Sequence, residues 1–84
     1  MSVEKFKILL EETYIWPDYY EFKFIVKIAN KDQILAHLSG CTIQEHLSKN
    51  GNYVSITARK LIKNTDEVLK IYETISTIEG VISL

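Results

Sequence analysis

Residues 41–62 read CTIQEHLSKNGNYVSITARKLI, and the pattern in this stretch decides the fold. Apolar side chains recur at every second position on both sides of a turn signal. Cys41, Ile43 and Leu47 alternate with Thr42, Gln44, His46 and Ser48. Val54, Ile56 and Ala58 alternate with Tyr53, Ser55, Thr57 and Arg59. A period of two marks strands with one buried face. Between the runs lies Lys49-Asn50-Gly51-Asn52, and Asn-Gly suits a hairpin turn because it tolerates positive φ. Glu45 falls on the apolar side, which places it near a sheet edge. Residues 41–62 therefore predict a β-hairpin.

The two flanks of the hairpin mirror each other. Upstream, Tyr20, Phe22, Phe24, Val26 and Ile28 alternate with Glu21, Lys23, Ile25 and Lys27, giving another half-buried strand. Asn30 with Gln33 predicts a variant capping box, Ile34, Leu35 and Leu38 an apolar stripe, and Gly40 a C′ residue, so a helix of two to three turns is expected. Downstream, Asn64 and Glu67 repeat the cap. Asp66 and Glu67 suit the positive end of the helix dipole. Val68, Ile71, Tyr72, Ile75 and Ile78 form the buried face of a helix of about four turns closed by Gly80. Val81–Leu84 is the expected last strand.

The fold class is thus α+β, a ferredoxin-like βαββαβ domain over residues 14–84. Right-handed crossovers put both helices on one face of a four-stranded antiparallel sheet of order 4-1-3-2, with the second and fourth strands at the edges. Residues 1–13 precede it as an amphipathic segment, with Val3, Phe6, Leu9, Leu10 and Thr13 at helical spacing. A helix that short is marginal in water unless it docks. Residues 14–20 read as an aromatic connector broken by Pro17, with Trp16 and Tyr19 expected to pack it against a sheet edge.

Bulk properties narrow the function. An 84-residue chain makes one domain. Residues 1–42 carry five basic and six acidic side chains, and residues 43–84 five of each. Nucleic-acid binding draws most of its affinity from phosphate neutralisation, so nucleic acid is an unlikely partner. No polybasic membrane patch occurs. One cysteine excludes an internal disulfide and points to a reducing, cytoplasmic location. The first residues lack a signal peptide's apolar core.

Each known kind of site on this fold needs particular residues in fixed places. Phosphate hydrolysis on this fold needs glycine and arginine after the first strand; the junction reads Lys27-Ile28-Ala29-Asn30-Lys31-Asp32. A thiolate metal site needs two cysteines there. His37, Cys41 and His46 lie close in sequence, but His46 and Cys41 alternate onto opposite faces, so a small buried cysteine and two surface histidines is the preferred reading. Lys49, Tyr53 and Val54 match part of an RNA-recognition strand, yet the first strand offers Glu21, Lys23 and Ile25 where bases would stack. Ser55, Thr57 and His46 share a face without a carboxylate to orient the histidine. No catalytic residue, cofactor or metal is expected. Lys23, Lys27, His46, Tyr53 and Arg59 are the candidate interaction surface, with Arg59 and Lys23 expected to pair with Glu21.

Three motifs carry a family likeness. They are Trp16-Pro17-x-x-Tyr20-x-Phe22-Lys23, Ser48-Lys49-x-Gly51-Asn52-Tyr53-x-Ser55, and Leu69-x-x-Tyr72-x-x-Ile75-x-x-Ile78-Glu79-x-Val81-x-x-Leu84. Together they resemble the YbeD-like family of small bacterial proteins of unknown function, over residues 16–84. The stretch from Lys23 to Ser48 is shorter than that family's. The likeness implies a fold similar to ACT regulatory domains, which sense small molecules at subunit interfaces through a glycine-containing loop after the first strand. Here that loop, Ala29-Asn30-Lys31, has no glycine. The expected role is a non-catalytic module binding another protein or its own copy, with Val81–Leu84 as a recruiting edge. The alternatives are a small-molecule sensor, and weak RNA binding through the open sheet face.

Overall fold

A computed structural model describes residues 2–84. Its elements are α1 (Val3–Thr13), β1 (Asp18–Lys27), a 3-10 turn (Ile28–Asn30), α2 (Lys31–Leu35), β2 (Thr42–Leu47), β3 (Tyr53–Ile62), α3 (Thr65–Ile75) and β4 (Ile82–Ser83). They form an α+β fold with three α-helices and one four-stranded antiparallel sheet of order β2-β3-β1-β4, which counted from the other edge is 4-1-3-2.

The spine is the β1–β3 pair, in register over ten rungs from Asp18↔Ile62 to Lys27↔Tyr53. Phe22, Phe24 and Val26 face Ala58, Ile56 and Val54 across it, all fully or almost fully buried. Each large side chain so buried stabilises by about 1.5–3 kcal/mol. Ile34, Val68, Ile75 and Leu10 meet the same face, so the helices cover one side of the sheet. A ten-residue strand spans about 33 Å and an eleven-residue helix about 16 Å. One helix therefore covers roughly half of the spine, and α1 and α2 supply the rest of the roof.

The helices differ from expectation in length. Asn30 does not cap α2; its side-chain amide instead donates to the Glu79 carbonyl (3.2 Å), tying the β1–α2 junction to the turn before β4. The chain bends there through the 3-10 turn, and α2 ends at Leu35, well short of Gly40. In α3, Glu67 N–H donates to Asn64 Oδ1 (2.9 Å), and Glu67 Oε1 accepts from Lys63 N–H (3.0 Å). That helix stops at Ile75, not Gly80, although Ile78 stays buried. β1 starts at Asp18, two residues early, leaving a connector of Tyr14–Pro17. β4 pairs through two residues only, with Leu84 N–H donating to the Lys23 carbonyl (2.9 Å).

The hairpin loop is longer than a two-residue turn. Ser48 N–H donates to the Tyr53 carbonyl (2.9 Å) and Gly51 N–H to the Ser48 carbonyl (3.0 Å). Gly51 has φ +72°, and among the described residues no residue other than glycine has positive φ. Asn50 stays at negative φ and uses its side chain to accept from Ser48 Oγ (2.9 Å) and Asn52 N–H (3.3 Å).

Residues 1–13, expected as a docking segment, are helical from Val3 to Thr13. Ser2 Oγ accepts from Lys5 N–H (3.2 Å), Leu10 is buried, and Phe6 meets Tyr72 edge-on at 5.7 Å. Tyr14 stacks on Trp16 at 4.8 Å, and the Trp16 indole N–H donates to the buried Thr65 hydroxyl (2.8 Å). Trp16 thus fixes the connector to the start of α3 rather than to a sheet edge.

Candidate functional site

The face of the sheet away from the helices is bare, and strand parity decides what it shows. Odd-numbered residues of β1 and β3 and even-numbered residues of β2 point to it. Rung by rung it carries Tyr19 beside Leu61, Glu21 beside Arg59 and Thr42, Lys23 beside Thr57 and Gln44, Ile25 beside Ser55, His46 and Ile82, and Lys27 beside Tyr53. All five candidate residues, Lys23, Lys27, His46, Tyr53 and Arg59, therefore share one surface. They do not form one cluster. Lys27 and Tyr53 sit together at one end, and Arg59 lies near the other, about 20 Å away at the rise of a strand.

Arg59 does not pair with Glu21 as expected. Its guanidinium lies 4.3 Å from the centroid of the Tyr19 ring, in cation–π geometry. Among the described residues, the ion pairs are Lys7–Asp66 (3.5 Å), Lys31–Glu45 (2.8 Å) and Lys60–Glu67 (3.1 Å), all off this face. Tyr19 belongs to β1 and is half exposed on the open face, which corrects its expected place in the connector. Leu61, Ile82 and Leu84 are also about half exposed or more. Tyr19 drops out of the sequence reading because the first strand is expected to begin at Tyr20; begun at Asp18, the same alternation places it on the charged face. Leu61 lies inside the expected 53–62 run and simply continues the alternation of Tyr53, Ser55, Thr57 and Arg59.

A cleft of about 500 Å³ opens at the Lys27 end, lined by Lys27, Ile28, Ala29, Gly51, Asn52 and Tyr53. Ile28 N–H donates to the Asn52 carbonyl (3.2 Å) and closes its floor. A Cβ built on Gly51 would meet nothing within 4 Å, so the hairpin leaves free space beside the junction.

The groups able to do chemistry lie elsewhere. Burial pushes the Cys41 thiol up, against a smaller opposing pull from Lys60, which keeps it protonated and a poor nucleophile at neutral pH. His46 stands on the open face and Cys41 at the entry to β2. Among the described residues no group of three or more His, Cys, Asp or Glu side chains gathers to hold a metal. Under the roof, the Tyr20 and Tyr72 hydroxyls share a hydrogen bond of 3.0 Å, and burial raises both phenols. Among the described residues no helix is long and apolar enough to cross a membrane.

A family described as "Protein of unknown function (DUF493)" matches residues 12–84, most of the chain. The chain belongs to that family. The DUF493 match takes in the whole sheet, α2, α3 and the aromatic connector, and starts at the last turn of α1. No curated protein and no solved structure matches the chain.

Proposed function

We propose that this DUF493 protein is a non-catalytic, ferredoxin-like module of the ACT-like kind, acting in the cytoplasm by binding another protein or a second copy on its open sheet face. One observation carries the reading: every helix lies on one side of the sheet, and the other side presents Tyr19, Leu61, Tyr53 and Ile82 partly exposed among charged residues. Mixed aromatic, aliphatic and arginine surface is the composition that interfaces favour. Lys23, Lys27 and Arg59 outnumber Glu21 on that face, so an acidic partner surface fits it best. The short β4 weakens the idea of Val81–Leu84 as a recruiting edge, since two paired residues offer little template.

The test compares tagged wild type with an R59E/L61D variant in capture from nuclease-treated extract of the source cells. Both positions are exposed, but R59E gives up the Tyr19 ring and faces Glu21 across the β1–β3 pair, so folding should weaken by about 1 kcal/mol or somewhat more, and a urea unfolding curve checks that the variant stays folded. A stoichiometric partner retained by wild type and lost by the variant supports the reading. Equal capture by both would sink it.

A second reading has its own support. The cleft borders Ala29, at the strand–helix junction that the ACT resemblance would make the effector loop, and Gly51 borders it from the hairpin. A small carboxylate ligand would meet Lys27 and Tyr53 there. A panel of amino acids should then raise Tm through ligand linkage, and Tyr53→Ala should abolish the shift. An unchanged Tm across the panel removes this reading.

A further inference from the structure

Two stripes on opposite sides of this chain match each other in charge and spacing. α1 turns Phe6 and Leu10 towards the core, so helical periodicity points Glu4, Ile8 and Glu12 outward in one line. All three are exposed, and Ile15, just past the helix, is almost wholly so. On the open sheet face, β1 carries Lys23, Ile25 and Lys27 in one line. Both lysines are exposed, and Ile25 is half-buried beside the exposed Ile82, its partner across the β1–β4 pair. Among the described residues, neither these two lysines nor Glu4 and Glu12 form an ion pair. Glu4 and Glu12 stand about 12 Å apart along the helix axis, and Lys23 and Lys27 about 13 Å apart along the strand. Each line has an isoleucine midway. One laid over the other sets each carboxylate against an ammonium and Ile8 against Ile25 and Ile82. The two lines cannot meet within one molecule, because α1 lies on the roofed side of the sheet.

We infer that the open sheet face of one copy binds the outer side of α1 of a second copy, with Glu4-Ile8-Glu12 laid over Lys23-Ile25-Lys27. The inference rests on the reading of the open face as an interface, and it names the occupant. Two open faces would not pair with each other, since each carries Lys23, Lys27 and Arg59 against Glu21 and like charges would meet. The acidic outer line of α1 has the opposite sign. A contact between two different patches is head-to-tail, so each bound copy still offers one free helix and one free face, and further copies add until the rotation closes a ring or the array stays open. One helix stripe buries little area, which makes the contact weak and dependent on protein concentration. Its charges are exposed, so salt screens it.

The test is sedimentation equilibrium of the full-length chain across protein and salt concentrations, beside the charge-reversed variants E4K/E12K and K23E/K27E. Wild type should gain mass with concentration at low salt and lose it at high salt. Each variant alone sets like charges against each other and should associate roughly ten-fold more weakly or worse. Mixed in equal amounts, the two variants should associate again, because the unaltered helix line of one meets the unaltered face of the other and the two reversed lines also attract. A mixture that stays monomeric overturns the inference, as does a wild type that stays monomeric at its highest soluble concentration. A closed dimer indifferent to both variants overturns it too. Urea unfolding checks that the variants fold. If either does not, E4Q/E12Q and K23Q/K27Q serve instead; each should weaken association several-fold, and no loss with either overturns the inference. The broader reading fails separately: a monomeric wild type that still captures an extract protein through Arg59 and Leu61 overturns the second-copy inference alone, whereas neither association nor capture removes both.

Discussion

α1 and α3 are both eleven residues long, and both start under a side-chain cap, yet they are anchored very differently. α3 buries Thr65, Val68 and Ile75 and carries Tyr72 into a ring cluster with Phe22, Phe24 and Tyr20. α1 buries Leu10 and leaves much of its apolar surface in water. Length and capping are local properties, whereas docking strength follows the apolar area that each helix removes from water. α3 is therefore part of the cooperative core, and α1 is the helix expected to open at the lower free energy.

That contrast breaks most sharply with core truncation. Ile75→Ala should cost about 2–5 kcal/mol, with the whole domain losing stability in urea unfolding. Leu10→Ala should fall at or below the low end of that range, because α1 can detach and leave the sheet roofed by α2 and α3. Hydrogen exchange would show the loss confined to α1. If both variants unfold the entire chain equally, α1 belongs to the core after all.

Caps give a smaller effect in the same direction. Asn64→Ala removes the 2.9 Å bond to Glu67 N–H and should lower global stability by about 1 kcal/mol. Ser2→Ala removes the 3.2 Å bond to Lys5 N–H and should leave the global transition within about 0.5 kcal/mol, while speeding exchange in the first turn of α1.

The smallest effect is electrostatic. The Lys63 backbone N–H, followed by Lys60, holds the Glu67 carboxyl below the usual glutamate range. A depressed folded value means that its contribution is full above the unfolded pKa of about 4.3 and fades as pH falls through the folded value. Glu67→Gln should flatten that acid limb and leave the rest of the pH profile unchanged.

The sequence shows α3 clearly because its signals are local: Asn64, Glu67 and the apolar spacing lie within the helix they define. The hairpin is legible for the same reason. α2 is misjudged at both ends: the partner of Asn30 is Glu79, far along the chain, so no local pattern shows that the amide leaves its cap, and past Leu35 the His37 and Leu38 N–H groups donate three residues back, to the Ile34 and Leu35 carbonyls, so the chain tightens into turns before Gly40. The start of β1 is hidden by Pro17-Asp18, a turn-like pair that pairing with β3 overrides. Parity alone brings Lys23, Lys27, His46, Tyr53 and Arg59 to one face. It does not reveal that Arg59 prefers the Tyr19 ring to the Glu21 carboxylate, since that choice depends on the β1–β3 register.

The one tryptophan of the chain stands where α1 joins the domain, stacked on Tyr14 and bonded to Thr65. An indole so held reports the state of the joint without any label. Lifting α1 should free Trp16 from its ring partner and expose it to water, moving its emission to the red while the far-ultraviolet signal of the sheet stays constant. The protein thus carries an optical gauge of its own N-terminal cover.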